Sequence, residues 1–273
     1  MEIRSGCMGW AYPDWVGPFY PEGTKPSDFL RLYSGAFDTV EVDSSFYRTP
    51  AAQLVRSWVA GTPPSFRFSL KLVKSITHDA KFRSVEKELA AFLKNTEPLS
   101  QKTLATLIQC PPSLMFERDW DAFSGFLEKL KDEGRRWAVE FRHGSWFRDE
   151  TYELLRSTRT CFAWAYSQYL ETPPEATTDF LYLRFVGDRA LTKFDRLQKD
   201  RREVTARWAR RLSNEWRIQP TGAFVFFNNH YAGFAPASAN QFREIAGLPP
   251  FRFPSERRGS TLKERRTLSD YLR

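Results

Sequence analysis

Two spacings of apolar residues alternate along the chain. Short runs that are apolar at every second position, or throughout, recur eight times: Ile3–Met8, Thr39–Phe46, Phe66–Val73, Thr103–Cys110, Trp137–His143, Cys161–Tyr166, Phe180–Val186 and Ala223–Asn228. Such runs predict strands. Between most of them apolar residues recur every three or four positions, the period of a helix packed by one face. Pro26–Phe37, Ala51–Ala60, Val85–Asn95, Asp121–Lys131, Thr151–Arg156, Arg201–Trp216 and Ala237–Ala246 read this way, the sixth on Val204, Trp208, Leu212 and Trp216. Eight strands alternating with helices predict a parallel sheet, and the count of eight favours a closed (β/α)8 TIM barrel. Gln168–Asp179, with two prolines, has no room for a full helix, so the crossover between strands 6 and 7 is shortened. A doubly wound open sheet is the alternative, but no GxGxxG follows the first strand, which removes its usual dinucleotide-binding version.

Within the strands, period two separates charge from apolar bulk. Glu41 and Asp43 alternate with Val40 and Val42; Arg67, Ser69 and Lys71 with Phe66, Phe68, Leu70 and Leu72; Glu140 and Arg142 with Val139 and Phe141; Tyr182 and Arg184 with Leu181, Leu183 and Phe185. A barrel's outer strand face lies under helices, so the charged faces point into the lumen, where they must neutralise one another or meet a ligand. Three acids against four bases leave that lumen slightly positive, a setting for phosphate or carboxylate held by arginine. Most of these charges fall late in their strands, at the ligand face of such barrels. Gln109, His78, His143, Tyr166 and Asn228 collect at the same ends, as do the rings of Trp10 and Trp146. A salt-bridge lattice closing the barrel and an aromatic plug over its mouth are the purely structural alternatives.

The chemistry this favours is an enzyme acting on a phosphate- or carboxylate-bearing substrate. Glu41, Glu140 and His78 are the catalytic candidates. Asp43, Lys71, Gln109, Arg142, His143, Trp146, Tyr166, Arg184, Asn228 and Trp10 are the binding candidates. Hydrolysis and isomerisation both stay open. The histidines with Glu41, Asp43 or Glu140 could hold a divalent metal as cofactor. No HxH or HExxH spacing supports one, and Arg142 beside His143 opposes a cation; no metal ligand is assigned.

The 273 residues suit one barrel domain, 1–248, followed by a basic extension, 249–273. Net charge is +8, and two segments account for it: 193–217 carries nine Lys/Arg against four acids, and 249–273 seven against three. A nucleic-acid binder using that helix and tail is therefore the rival reading, and a small-anion binder without turnover a third. No apolar run reaches the ~20 residues of a membrane helix. No signal-peptide core opens the chain, and Cys7, Cys110 and Cys161 are widely spaced among apolar residues, so a cytoplasmic protein with reduced thiols is expected.

Several stretches of the chain stand out together. They are Gly9-Trp10-Ala11-Tyr12 with Trp15 and Gly17-Pro18-Phe19-Tyr20-Pro21, and Val40-Glu41-Val42-Asp43-Ser44-Ser45-Phe46-Tyr47. Phe66-Arg67-Phe68-Ser69-Leu70-Lys71 comes next with Ile76-Thr77-His78, then Gln109-Cys110-Pro111-Pro112. Val139-Glu140-Phe141-Arg142-His143-Gly144-Ser145-Trp146 and Phe227-Asn228-Asn229 complete the set. Together they resemble the domain-of-unknown-function 72 (YecE-like) family, and the resemblance implies a TIM barrel, with DNA binding suggested for the family only by analogy of fold. It also implies two departures: Asp43 stands where the family commonly has Asn, and Phe185 follows Arg184 where it commonly has His.

Overall fold

The computed structural model describes residues 1–256 except Asp132. Its strands are β1 Glu2–Met8, β2 Thr39–Val42, β3 Arg67–Lys71, β4 Thr103–Gln109, β5 Trp137–Glu140, β6 Thr160–Ser167, β7 Phe180–Gly187 and β8 Gly222–Phe227. Each pairs in parallel with the next, and β8 returns to β1, closing the barrel. The longer helices between them are α1 Phe29–Ser34, α3 Ala52–Ala60, α4 Glu86–Thr96, α5 Phe116–Leu130, α6 Asp149–Ser157, α7 Arg202–Arg211 and α9 Ala235–Ile245, with one-turn helices α2 Ser44–Tyr47 and α8 Asn229–Ala232.

Alternation sorts the strand side chains into two buried clusters. On β7 and β8, Leu181, Leu183, Phe185, Ala223, Val225 and Phe227 join the outer layer against the helices. Phe180, Tyr182, Phe224 and Phe226 form an inner cluster with Met8, Leu107, Ala138, Cys161 and Ala163. Along β7 the inward series runs Phe180, Tyr182, Arg184 and then Val186 at the mouth. The lumen is therefore apolar at its N-terminal end and ionic towards its C-terminal end. Burying so much aromatic surface stabilises the barrel by ~25 cal/mol per Å2 removed from water, which leaves room for a costly ionic layer above.

Three strands stop earlier than their pattern suggests. β2 ends at Val42, because Ser45 turns the chain into α2: its hydroxyl donates to the carbonyls of Val42 and Lys71 and accepts the Lys71 N–H at 2.9 Å. β3 ends at Lys71 and β5 at Glu140, so Asp43, Arg142 and His143 are loop residues at the mouth. The α7 helix ends at Arg211, short of Trp216. Arg67, expected in the lumen, opens β3 at the opposite end and donates to the carbonyls of Pro64 and Phe66.

Residues 168–179 form no helix, and threonines take over the covering of β6. Thr172 Oγ1 accepts the Ala165 N–H, and Thr177 Oγ1 accepts the Phe162 N–H at 2.8 Å while donating to the Thr160 carbonyl at 2.7 Å. Thr177→Val keeps the shape and strands both backbone groups in the interior. A loss of about 2 kcal/mol is expected, read as a lower midpoint in urea unfolding; an unchanged midpoint would show that water replaces the hydroxyl.

The first part of the expected C-terminal extension packs back on the barrel. Phe251 packs at a tilt against Phe37, Phe253 edge-on against Phe19, and the Ser255 N–H donates to the Phe19 carbonyl. Residues 257–273 lie outside the described residues. Among the described residues no helix is long and apolar enough to cross a membrane.

Candidate functional site

The ionic layer is organised around Arg184, which is 3% exposed. Its Nε and Nη2 grip both oxygens of Glu41 at 2.9 and 2.7 Å, and its Nη1 bonds Glu140. Glu41 also accepts the Tyr182 hydroxyl at 2.7 Å, and that hydroxyl lies 2.9 Å from Ser69 Oγ. Glu140 takes a second cation, Arg142, through Nε at 2.7 Å. Two buried carboxylates thus meet two guanidinium groups, and the layer is neutral. Burial alone would raise the Glu140 carboxyl, but Arg184 and Arg142 outweigh it and hold the group at about 2. Burial alone would lower Arg184; the two glutamates overcome this and push it well above its ordinary value. Glu140 is therefore ionised at neutral pH, as an orienting group for Arg184 and Arg142.

Above this layer opens a cleft of about 600 Å3 at the C-terminal ends of the strands. Tyr12, Asp43, Phe46, Tyr47, Lys71, Gln109, Arg142, Arg184, Val186, Arg189, Phe194, Asn228, Asn229 and His230 line it. Lys71 Nζ lies 3.1 Å from Asp43 Oδ1 and 4.6 Å from the centre of the Phe46 ring. Gln109 reaches Arg184 Nη1 at a loose 3.4 Å. Asn228 caps α8 by accepting the His230 N–H.

The sequence-expected residues divide cleanly. Asp43, Lys71, Gln109, Arg142, Arg184 and Asn228 converge on the cleft, with Glu41 and Glu140 directly beneath. Trp10, His78, His143, Trp146 and Tyr166 are not among its lining. Trp146 is wholly buried, stacked on Phe141 at 4.7 Å, with its indole N–H spent on the Leu114 carbonyl; no face is left for a ligand. His143 caps a one-turn helix through Ser145. Trp10 packs edge-on against Trp58, and Tyr166 against Tyr231. His78 packs edge-on against Phe46, just behind the cleft wall, with Nδ1 2.8 Å from Thr77 Oγ1. Burial, then Arg142 and Lys71, lower it to about 4, so it is neutral near pH 7.

Of the three histidines only His230 lines the cleft. Among the described residues no three of His, Cys, Asp and Glu come together as a metal-binding group. Arg189 and Phe194, on the long loop after β7, escaped the sequence reading. Phe194 seals the mouth between Tyr12 and His230, its N–H held by Asp14 at 2.8 Å. Arg189 sits in a left-handed backbone conformation, φ 60°, and makes no ion pair among the described residues.

The chain is 28% identical to the UPF0759 protein YunF of Bacillus subtilis over 280 residues, covering 91% of this chain and 98% of that protein. It is 28% identical to the UPF0759 protein YecE of Escherichia coli K12 over 145 residues, 53% of this chain and 50% of that protein. A crystal structure of a DUF72 family protein from Thermotoga maritima superposes with a TM-score of 0.76 at 32% identity, covering 90% of this chain and 100% of the other. Another from Enterococcus faecalis gives 0.71 at 21% identity, with 91% and 98% covered, a likeness of fold. A family model described as "Protein of unknown function DUF72" matches residues 4–260. An eight-stranded barrel with an arginine-centred ionic layer under its mouth is thus the form taken here by a member of that family: the chain belongs to DUF72.

Proposed function

We propose that the protein is an enzyme that binds a phosphate- or carboxylate-bearing small molecule at the C-terminal mouth of the barrel. One observation carries this reading: three cations face the cleft with donors to spare. Arg142 spends only Nε on Glu140, Lys71 makes one bond to Asp43, and Arg189 has no acidic partner among the described residues. Unspent guanidinium and ammonium donors in a concave site favour an anion, each charge-assisted bond contributing about 1.5–3 kcal/mol.

Glu41 and Glu140 hold Arg184 and Arg142 in place, while Asp43, 29% exposed at its side chain, is the carboxylate that a substrate in the cleft can reach. Hydrolysis and isomerisation both need such a group. The free, buried state of Cys7, Cys110 and Cys161 supports a cytoplasmic setting. The nucleic-acid reading draws less support from the structure: Arg207 and Arg211 pair with Glu171, and Arg202 with Glu244, so much of the α7 charge is already neutralised.

Titrating inorganic phosphate into the wild type and into an Arg142→Ala, Arg189→Ala double variant tests the site. The wild type should bind, more weakly as salt rises, and the variant at least tenfold less tightly. Equal affinity in the two proteins would place the anion elsewhere.

A further inference from the structure

Beside the ionic cleft lies a second chamber of about 530 Å3, lined by Pro112, Tyr169, Leu170 and Glu140, whose carboxylate is already paired with Arg142 and Arg184, and sharing Arg142, Val186 and Arg189 with the first. The two spaces are therefore continuous across the same pair of guanidinium groups. The first mixes charged groups with the rings of Tyr12, Phe46, Tyr47 and Phe194, whereas the second adds to the shared arginines an apolar wall of Pro112, Leu170 and Val186 and the ring of Tyr169.

That ring is presented by a fixed turn. Ser167 holds the Tyr169 side of it: the hydroxyl accepts the N–H groups of Tyr169 and Leu170 and donates to the Leu170 carbonyl. Gln168 ties the turn to the β7 loop by donating to the Asp188 carbonyl at 3.2 Å. Yet Tyr169 is 83% exposed and makes no ring contact among the described residues. A single exposed ring is ordinary on a protein surface. Here it stands on an anchored turn, beside an apolar wall and two arginines with free donors, a combination that suits an apolar partner carrying negative charge.

We propose that the natural ligand is an anion mounted on a planar apolar body: its phosphate or carboxylate sits at Arg142 and Arg189, and its ring lies against Tyr169, Leu170 and Val186. This rests on the anion site proposed above and names the kind of molecule that site takes. Stacking and apolar burial then supply selectivity over bare anions, which the ionic cleft alone would not provide.

Four probes test it by titration: inorganic phosphate, phenyl phosphate, acetate and benzoate. The wild type should bind the ring-bearing member of one pair at least tenfold more tightly than its bare counterpart, and the better pair identifies the head group. Tyr169→Ala, at an exposed position where folding is not at stake, should bring the ring-bearing probe down to the affinity of the bare anion. Equal affinities within both pairs in the wild type, with bare phosphate bound, would overturn the ring subsite and leave the anion site standing. A preference that persists in Tyr169→Ala would also overturn it. Binding of none of the four would overturn the anion site and this inference with it.

Discussion

Replacing Arg184 with methionine is expected to lower stability by about 3–5 kcal/mol, a fall in melting temperature on the order of 10 °C for a chain of this size. The substitution removes a cation from between two buried carboxylates. Glu41 is fully buried and has no other cationic partner among the described residues, so its charge would face only the Tyr182 hydroxyl. Glu140 would keep Arg142. The pH dependence carries the same signature. In the wild type the Glu140 carboxyl is held at about 2, below the ~4.3 of an unfolded glutamate. Its contribution is therefore fully present above about pH 5 and is lost as pH falls through 4 towards 2. In the variant, acid relieves the stranded charges instead of breaking a pair, so the deficit against wild type should be smaller at pH 4 than at pH 7.5. Thermal melting at the two pH values measures this. A deficit below about 1 kcal/mol at pH 7.5, or one that grows on acidification, would mean that the two glutamates do not depend on Arg184.

The barrel and its ionic layer were legible in the sequence because both rest on period two. Val40, Glu41 and Val42, or Leu183, Arg184 and Phe185, can satisfy a helix-covered outer face in one register alone, and that register sends Glu41 and Arg184 inward. The segments leaving the strand ends were harder to read. Ser44-Ser45-Phe46-Tyr47 has strand-like composition, but the Ser45 hydroxyl satisfies three backbone groups at the β2 and β3 ends and makes a helical turn the better solution. Trp146 reads like a ligand-stacking ring beside His143; its burial comes from Phe116, Phe123 and Phe141, brought together only by packing. Arg189 belongs to no periodic run at all. The available signal was Gly187-Asp188 just before it, since a glycine closing a barrel strand marks a sharp change in backbone direction at the ligand face.

That glycine makes the second large effect expected. Gly187 has φ 85°, and a Cβ built there would overlap the carbonyl of His230. Alanine at this position incurs left-handed strain of about 1–3 kcal/mol, and relieving the overlap requires the end of β7 and the start of α8 to separate. Both flanks of that seam belong to the cleft: Val186 and Arg189 on one side, Asn228, Asn229 and His230 on the other. Gly187→Ala should therefore lose at least ~3 kcal/mol of stability and also weaken phosphate binding, because the Arg189 loop moves with the seam. Gly23→Ala supplies the control, since Gly23 has φ 73° with nothing near its would-be Cβ. It carries the strain without the overlap and should cost roughly 1 kcal/mol, leaving phosphate affinity as in wild type. If the two variants melted alike and bound alike, close approach of β7 to α8 would not be what holds Arg189 at the mouth, and the loop would have to be positioned by Asp188, through Lys199 and Arg201.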